Sequence, residues 1–428
     1  MFTLIFISFN QEERKMKKIL AFLLAAMMVV SLCACGGSGN SASESTEGGS
    51  EGKAVDAGSI KVGAIMVGDE NEGYTEAHLK GVQAMKESLG LSDDQVIIKT
   101  NIGEDEGCYD AAVDLAEQGC SIVFANSFGH EDYMIQAATE YPDVQFCHAT
   151  GYQASSSGLA NMHNFFTNVY ESRYVSGVVA GLKLNEMIKN GEVKAEECKI
   201  GYVGAYPYAE VISGFTSFFL GVRSVCESAT MEVKYTNSWA SMDLEKECAK
   251  QLIADGCVLI SQHADTTGAP SSCEAAKVPC VGYNIDMIPT APNYALTSAS
   301  NDWAPYYTFA VKCIIDGETI PADWAQGYSD DAVRITPINE AACAEGTAEK
   351  VAEVEAAIKD GSLKVFDTST FTVGGKTLEE LVEAKDETAT SLSSQISDGY
   401  FHESDVAGGF NSAPAFTFII DGITSVTE

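Results

Sequence analysis

Residues 61–81 read KVGAIMVGDENEGYTEAHLKG, and the fold is decided by how this stretch divides. Residues 62–67 form an unbroken apolar run of strand length, the pattern of a strand covered on both faces. A polar turn follows with Asp69, Glu70 and Asn71, then Gly73 and Tyr74. Beyond it Ala77, Val82 and Met85 recur at near-helical spacing, which predicts a helix. One strand–turn–helix is ordinary scaffold. A second copy makes it an organising unit.

The copy is visible in the letters. KIGYVGA at 199–205 echoes KVGAIMVG at 61–68. AVDLAEQGC (112–120) runs into SIVFANSFG, and AKQLIADGC (249–257) runs into VLISQHADTTG. Lys61 stands as far from Gly119 as Lys199 does from Gly256, to within one residue. Two landmarks that keep one spacing mark a duplication: two related α/β lobes, with a ligand expected between their facing strand ends.

Working outward, the amino-terminal segment reads as an address. Met16 is the better start, with Lys17 and Lys18 as a positive region ahead of the apolar run 19–32. That run has signal-peptide length and is short for a bilayer span. It ends in Leu32-Cys33-Ala34-Cys35, so residues 1–35 are read as an export signal. Residues 36–58 are Gly, Ser and Glu with little to bury, hence a flexible linker. No later run of 18 or more apolar residues occurs, so no other membrane crossing is expected.

In the first lobe, assigned 59–167, strands are predicted at 62–67, 95–100, 121–126, 144–148 and 161–166. In the second, assigned 168–286, they fall at 199–204, 231–236, 258–262 and 279–282, with a further run at 294–298. Helical stretches separate them, which is the parallel-sheet pattern. The chain is expected to return to the first lobe near 287–330 and to the second over 331–428. That last part should hold a helix at 341–358, a hairpin at 364–375 turning at Gly374-Gly375, a polar surface insertion at 383–408 and a strand at 416–422. Small residues in YVSGVVAGL (174–182) should let a helix pack closely on its neighbour.

A formal net charge of −35 argues against nucleic acid or an anionic membrane surface as partner, since both need basic patches. Thirteen cysteines carry no CxxC or Cys/His ligand spacing, so no metal site is expected. Their apolar contexts (GCSIVF, GCVLIS, VPCVGY) read as mostly free, buried thiols. Ser176 lies in VSGVVAG, which is no nucleophile elbow, and no GxxxxGK[ST] loop is present, so an enzyme is not indicated.

Taken together, residues 63–81, AEQGCSIVFANSFG, ESRYVSGVVAGL, KIGYVGA, FTSFFLGVR, CAKQLIADGCVLISQHAD, VGYNIDM and LTSASNDW resemble the basic membrane protein (BMP) family of ABC-transporter substrate-binding lipoproteins, relatives of purine nucleoside receptors. The resemblance implies an α/β, type I periplasmic-binding-protein fold, two Rossmann-like lobes joined by a hinge. It likewise implies that Cys35 takes lipid at a lipobox, leaving the protein on the extracytoplasmic face of a bacterial cell membrane beside an ABC permease. A small-molecule ligand, a purine nucleoside or nucleobase, would lie between the lobes, with no cofactor. Tyr74 and Trp239 correspond to the aromatics that stack on the two faces of the ring, Asp69 would face its edge, and Asp286 matches the ribose-binding carboxylate. Asn126, Ser127, Tyr170, Tyr206, His263, Asp265 and Asn284 fall at strand ends or their loops as further lining. Two departures bear on the ligand. Tyr74 stands where nucleoside receptors usually carry Phe, and Asn301 stands where a sugar-directed Lys is usual. A free base, or another flat heterocycle such as riboflavin, therefore competes with a nucleoside, and a ligand sensor without transport remains the other reading.

Overall fold

The computed structural model describes residues 54–404 and 412–426. The expected signal 1–35 with Cys35, and all of the linker but its last residues, lie outside the described residues. The linker ends earlier than expected: Val55 is held by its N–H on the Ile314 carbonyl (3.2 Å) and packs on the first lobe's core.

Five β-α units make the first lobe. Its strands are β1 Val62–Ile65, β2 Val96–Lys99, β3 Ile122–Ala125, β4 Gln145–Ala149 and β5 Met162–Thr167, with helices α1 Gly73–Leu89, α2 Glu106–Glu117 and α3 Glu131–Glu140 between. The long helix α4 Val169–Lys189 then crosses to the second lobe. There β6 Lys199–Gly204, β7 Thr230–Tyr235, β8 Leu259–Gln262, β9 Cys280–Tyr283 and β10 Ala295–Asn301 alternate with α5 Ala209–Arg223, α6 Met242–Ala254 and α7 Gly268–Ala276. The duplication is literal. The sheets run β5-β4-β3-β1-β2 and β10-β9-β8-β6-β7, parallel throughout these ten strands. The strands read as continuous apolar runs because β1, β3 and β8 are buried on both faces by flanking helices.

The later crossings differ from the expected boundaries. β10 lies inside 287–330 yet pairs with β9 in the second sheet. The return is made by α8 Ala304–Asp316, which packs on α1, and by β11 Asp323–Gln326, which extends the first sheet beside β5. β12 Val333–Ile335 then pairs antiparallel with β10 in the second lobe. After it comes the helix α9 Thr347–Lys359. Each lobe's fifth strand is thus followed by a helix packed on the other lobe, and strand ends and hinge meet in one place.

The carboxyl-terminal part also departs from expectation. Residues 364–375 form no ladder: Asp367 makes an isolated bridge to Tyr400, and the Val373 bridge to Lys376 closes a tight turn whose Gly374 and Gly375 have φ of 59° and 77°. The span 383–408 is not merely surface: the helix Glu387–Ser391 and the pair Ile396–Ser397 with Tyr400–Phe401 sink Ala389 and Phe401 into the second lobe's core. Its residues 405–408 lie outside the described residues. The strand expected at 416–422 begins later, as β13 Ile423–Val426 on the sheet edge beside β7. Phe416, Phe418 and Ile420 instead fill the core, Phe416 stacked on Phe366 with centroids 4.5 Å apart.

Candidate functional site

Both lobes point their strand ends at one cleft, and the cleft is shut. The Gly73 N–H donates to the Asp265 carbonyl across it (3.1 Å), and the Phe128 and Tyr208 rings stack across it with centroids 5.6 Å apart. A cavity of about 280 Å³ remains between the lobes.

Tyr74 forms the first-lobe wall. Glu72 caps α1, its carboxylate accepting from the N–H groups of Tyr74 (2.6 Å) and Thr75 (2.9 Å), where the helix dipole favours a negative charge. The Tyr74 hydroxyl donates to the Asn126 carbonyl at 2.7 Å. Behind it His78 meets the Tyr74 ring edge-on at 4.5 Å and stacks on Trp303 at 4.0 Å. The His78 Nδ1 is tied to the Tyr307 hydroxyl at 2.7 Å, and burial holds its basicity well below the usual histidine range. The ring is locked before any ligand arrives.

Trp239 forms the facing wall. Asn237, at a φ of 54°, turns the chain after β7, and the Trp239 carbonyl accepts from the Asp265 N–H (2.9 Å). Tyr206 meets Trp239 at 5.1 Å and stacks nearly parallel on Tyr208 at 5.1 Å.

The polar end of the cavity comes from β8. His263 is buried with Nε2 at 3.1 Å from the Glu210 carboxylate, and burial lowers its pKa to about 4. It therefore stands neutral at physiological pH, donating to Glu210. Asp265 accepts from the Asn284 amide at 2.8 Å. Its carboxyl is pushed well up, by burial first and then by Glu72, Glu245 and Glu210, with Arg173 opposing. Arg173 is fully buried, stacked 3.6 Å over the Tyr283 ring, and donates to the Gln262 carbonyl (2.6 Å). It is the positive charge beneath an otherwise acidic floor.

Of the residues singled out in the sequence, Tyr74, Asn126, Ser127, Tyr206, Trp239, His263 and Asp265 line this cavity. Five do not. Asp69 holds its own turn, accepting from the Asn71 N–H (3.0 Å). Tyr170 packs against Phe366 in a separate groove. Asn284, at a φ of 62°, supports Asp265 from behind. Asp286 accepts from the Ile288 N–H (2.9 Å) as a turn residue. Asn301 sits one layer deeper, bonded to Asn284 at 3.0 Å and to the Thr167 hydroxyl where the chain crosses. Glu72, Thr150, Glu210 and Tyr283 line the cavity but were not picked out; an acidic residue just ahead of a predicted helix was the one available signal for Glu72. Thr150 adopts a φ of 68°, rare for a β-branched residue and of the kind that collects at ligand sites.

The eleven described cysteines are free thiols, ten of them buried. Among the described residues no helix is long and apolar enough to cross a membrane.

Two hinged α/β lobes closed over an aromatic-walled cavity define a bilobal ligand-binding protein. The chain belongs to the Bmp family, described as ABC transporter substrate-binding protein PnrA-like, whose model matches residues 60–365. It is therefore an extracytoplasmic substrate-binding protein of an ABC transporter, a class that binds small molecules and is not enzymatic. It is 32% identical over 308 residues to a purine-binding protein of Brucella abortus (strain 2308), covering 72% of this chain and 83% of the relative. It is 30% identical over 276 residues to a Haloferax volcanii protein named as an ABC transporter glucose-binding protein, covering 64% of this chain and 65% of that one. In fold it is similar to solute-binding proteins from Aeropyrum pernix K1 (TM-score 0.61, 14% identity, 77% of this chain and 99% of that one) and Conexibacter woesei (TM-score 0.57, 20% identity, 72% and 98%). These likenesses place the fold as type I.

Proposed function

We propose that the protein closes on a purine base, free or as its nucleoside, with the ring between Tyr74 and Trp239, and hands it to an ABC permease. The observation that carries this reading is the pair of aromatic walls from opposite lobes with Asp265 between them. A planar ring stacked on an aromatic face gains roughly 1 kcal/mol beyond its area burial. The Asp265 carboxyl would meet the N–H edge of such a base, with Asn126 and Ser127 lining the same cavity. The purine-binding relative supports the same class. A volume of about 280 Å³ falls at the small end of ligand pockets and favours a bicyclic base over a tricyclic flavin. Lipid on Cys35 would hold the protein beside its permease, with residues 36–54 as the tether.

Thermal unfolding of the purified protein against nucleosides, free bases, riboflavin and glucose tests the proposal. A ligand that binds only the folded state raises the melting temperature by mass action. A rise with adenosine, guanosine or their bases supports it, and a rise with glucose or riboflavin alone overturns it. Mass spectrometry of the membrane-bound form should find lipid on Cys35, and Cys35→Ser should release the protein into the medium; an unmodified, still membrane-bound variant would remove the anchor from the proposal.

A further inference from the structure

A substituent on a base held between Tyr74 and Trp239 has two ways to point. The inward way is filled. Asn301 is buried and bonded to Thr167, Asn284 and Tyr283, and the Asp286 carboxylate is engaged by its own turn. Neither side chain lines the cavity. Asn301 and Asp286, the residues that the resemblance would give to a sugar, are thus taken up by the hinge and by a turn.

The outward way is open. A second cavity of about 450 Å³ adjoins the first and shares Phe128, Thr150 and Glu210 with it. Its walls are aromatic and exposed: Tyr152 is 59% exposed, Tyr208 43% and Phe128 40%. Seven large hydrophobic side chains stand exposed among the described residues, and three of them gather here, so the patch is a concentration and not scatter. The rings form a ladder across the cleft, Tyr152 to Phe128 at 6.4 Å and Phe128 to Tyr208 at 5.6 Å, and it continues to Tyr206 and Trp239 inside.

The roof of this outer chamber is Ala413-Pro414, in a part of the chain beyond the span 60–365 matched by the family model. The roof is tied to both lobes. The Ser412 hydroxyl donates to Asp323 of β11 at 2.9 Å, and Phe416 is buried in the second lobe's core. A segment that only covered the sheet edge would not need to bridge the cleft.

We infer that this outer chamber is a second subsite, which takes a neutral glycosyl group carried by the base and points it toward the cleft mouth. The inference rests on the purine reading above and specifies the orientation of its ligand. Exposed ring faces suit the apolar face of a sugar, while the Glu210 carboxylate and the Thr150 hydroxyl can meet its hydroxyls. No Lys or Arg lines either cavity among the described residues, so a phosphate on the sugar is disfavoured.

Isothermal titration of adenosine with adenine, guanosine with guanine, and riboflavin with lumichrome tests the inference on the wild type, Ala413→Trp and Tyr152→Ala. Ala413→Trp should fill the chamber and weaken the glycosylated or polyol-bearing member about tenfold or more, leaving the free heterocycle within about twofold. Tyr152→Ala removes a wall that borders only the outer chamber, should show the same selectivity, and decides the matter if the tryptophan variant does not fold. Equal weakening of both members, or a wild type that binds the free base but not the nucleoside, overturns the subsite and leaves the purine reading standing. A wild type that binds none of the four purines overturns the purine reading and the inference together.

Discussion

Gly73 and Asp265 belong to different lobes, yet the Gly73 N–H donates to the Asp265 carbonyl at 3.1 Å. The bond exists only when the cleft is shut, so it reports the closed state directly. A Cβ on Gly73 would lie 3.1 Å from that carbonyl oxygen and 3.5 Å from Ile285, tight but close to tolerable. The branched side chain of valine has nowhere to go. Gly73→Val should therefore bias the equilibrium toward open and weaken ligand about tenfold or more, with Gly73→Ala milder. Small-angle scattering with and without ligand checks it: the valine variant should keep the open radius at ligand concentrations that close the wild type.

Trp239 is held from below by Tyr206 and by its backbone bond to Asp265, and its own ring borders the cavity. Trp239→Ala should cost ligand affinity about tenfold to a hundredfold, since a partly exposed ring at a cavity wall contributes more to binding than to folding. The melting temperature without ligand should barely move. An unchanged dissociation constant by titration calorimetry would remove Trp239 from the site.

The lobes were legible because β1 and β6, and β3 and β8, are buried on both faces and end in similar turns, so the duplication survives in the letters. The resemblance gave Tyr74 and Trp239, strand-end position gave His263 and Asp265, and all four line the cavity. Of the two residues that the resemblance gave to a sugar, Asp286 follows β9 and Asn301 closes β10; the left-handed backbone at Asn284 and the full length of β10 turn both away from the cavity. The crossing near 287 was misread because Thr297, Ser298, Ser300 and Asn301 break the apolar pattern of β10, while its backbone ladders with β9 and β12 hold it in the second sheet through to Asn301. Arg173 and His78 were invisible as site supports, because each acts from inside a helix through a tertiary contact.

Buried titratable groups set two opposing slopes of stability against pH. Burial pushes Glu171, Glu245 and Glu403 up to about 7 from an ordinary 4.5. Such a group binds its proton more tightly when folded, so its contribution is full below pH 4.5 and is lost as pH climbs toward 7. Histidines run the other way: burial lowers His163 and His263 to about 4 from 6.5, so stability falls as pH drops from 6.5 toward 4. Glu403 accepts from the N–H groups of Ala415 (3.0 Å) and Phe416 (2.9 Å), a role that a glutamine oxygen can keep. Glu403→Gln should therefore flatten the descending slope, gaining about 1–3 kcal/mol on the wild type between pH 4.5 and 7. Melting curves of both proteins without ligand, taken across pH 4 to 8, are the check. Parallel curves would mean the Glu403 carboxyl is not raised.

Helices α4 and α5 meet backbone to backbone, and glycine is what permits it. A Cβ on Gly177 would fall 2.0 Å from the Phe218 carbonyl oxygen, and one on Gly221 would fall 2.0 Å from that of Tyr174. These are reciprocal contacts of one crossing, and neither obstacle is a side chain that could swing aside. Overpacking a core by a methylene usually costs about 1–3 kcal/mol, and a clash with backbone should reach the top of that range or pass it. Gly177→Ala and Gly221→Ala should each lower the denaturant midpoint. The helices must part once to admit either methyl, so the double variant should cost clearly less than the two single losses combined. Simple additivity in chemical denaturation would mean that the two glycines relax separately and that α4 does not pack on α5 as one rigid surface. Since α4 also carries Arg173 beneath the Tyr283 ring, both single variants should weaken ligand binding even at temperatures where the protein stays folded.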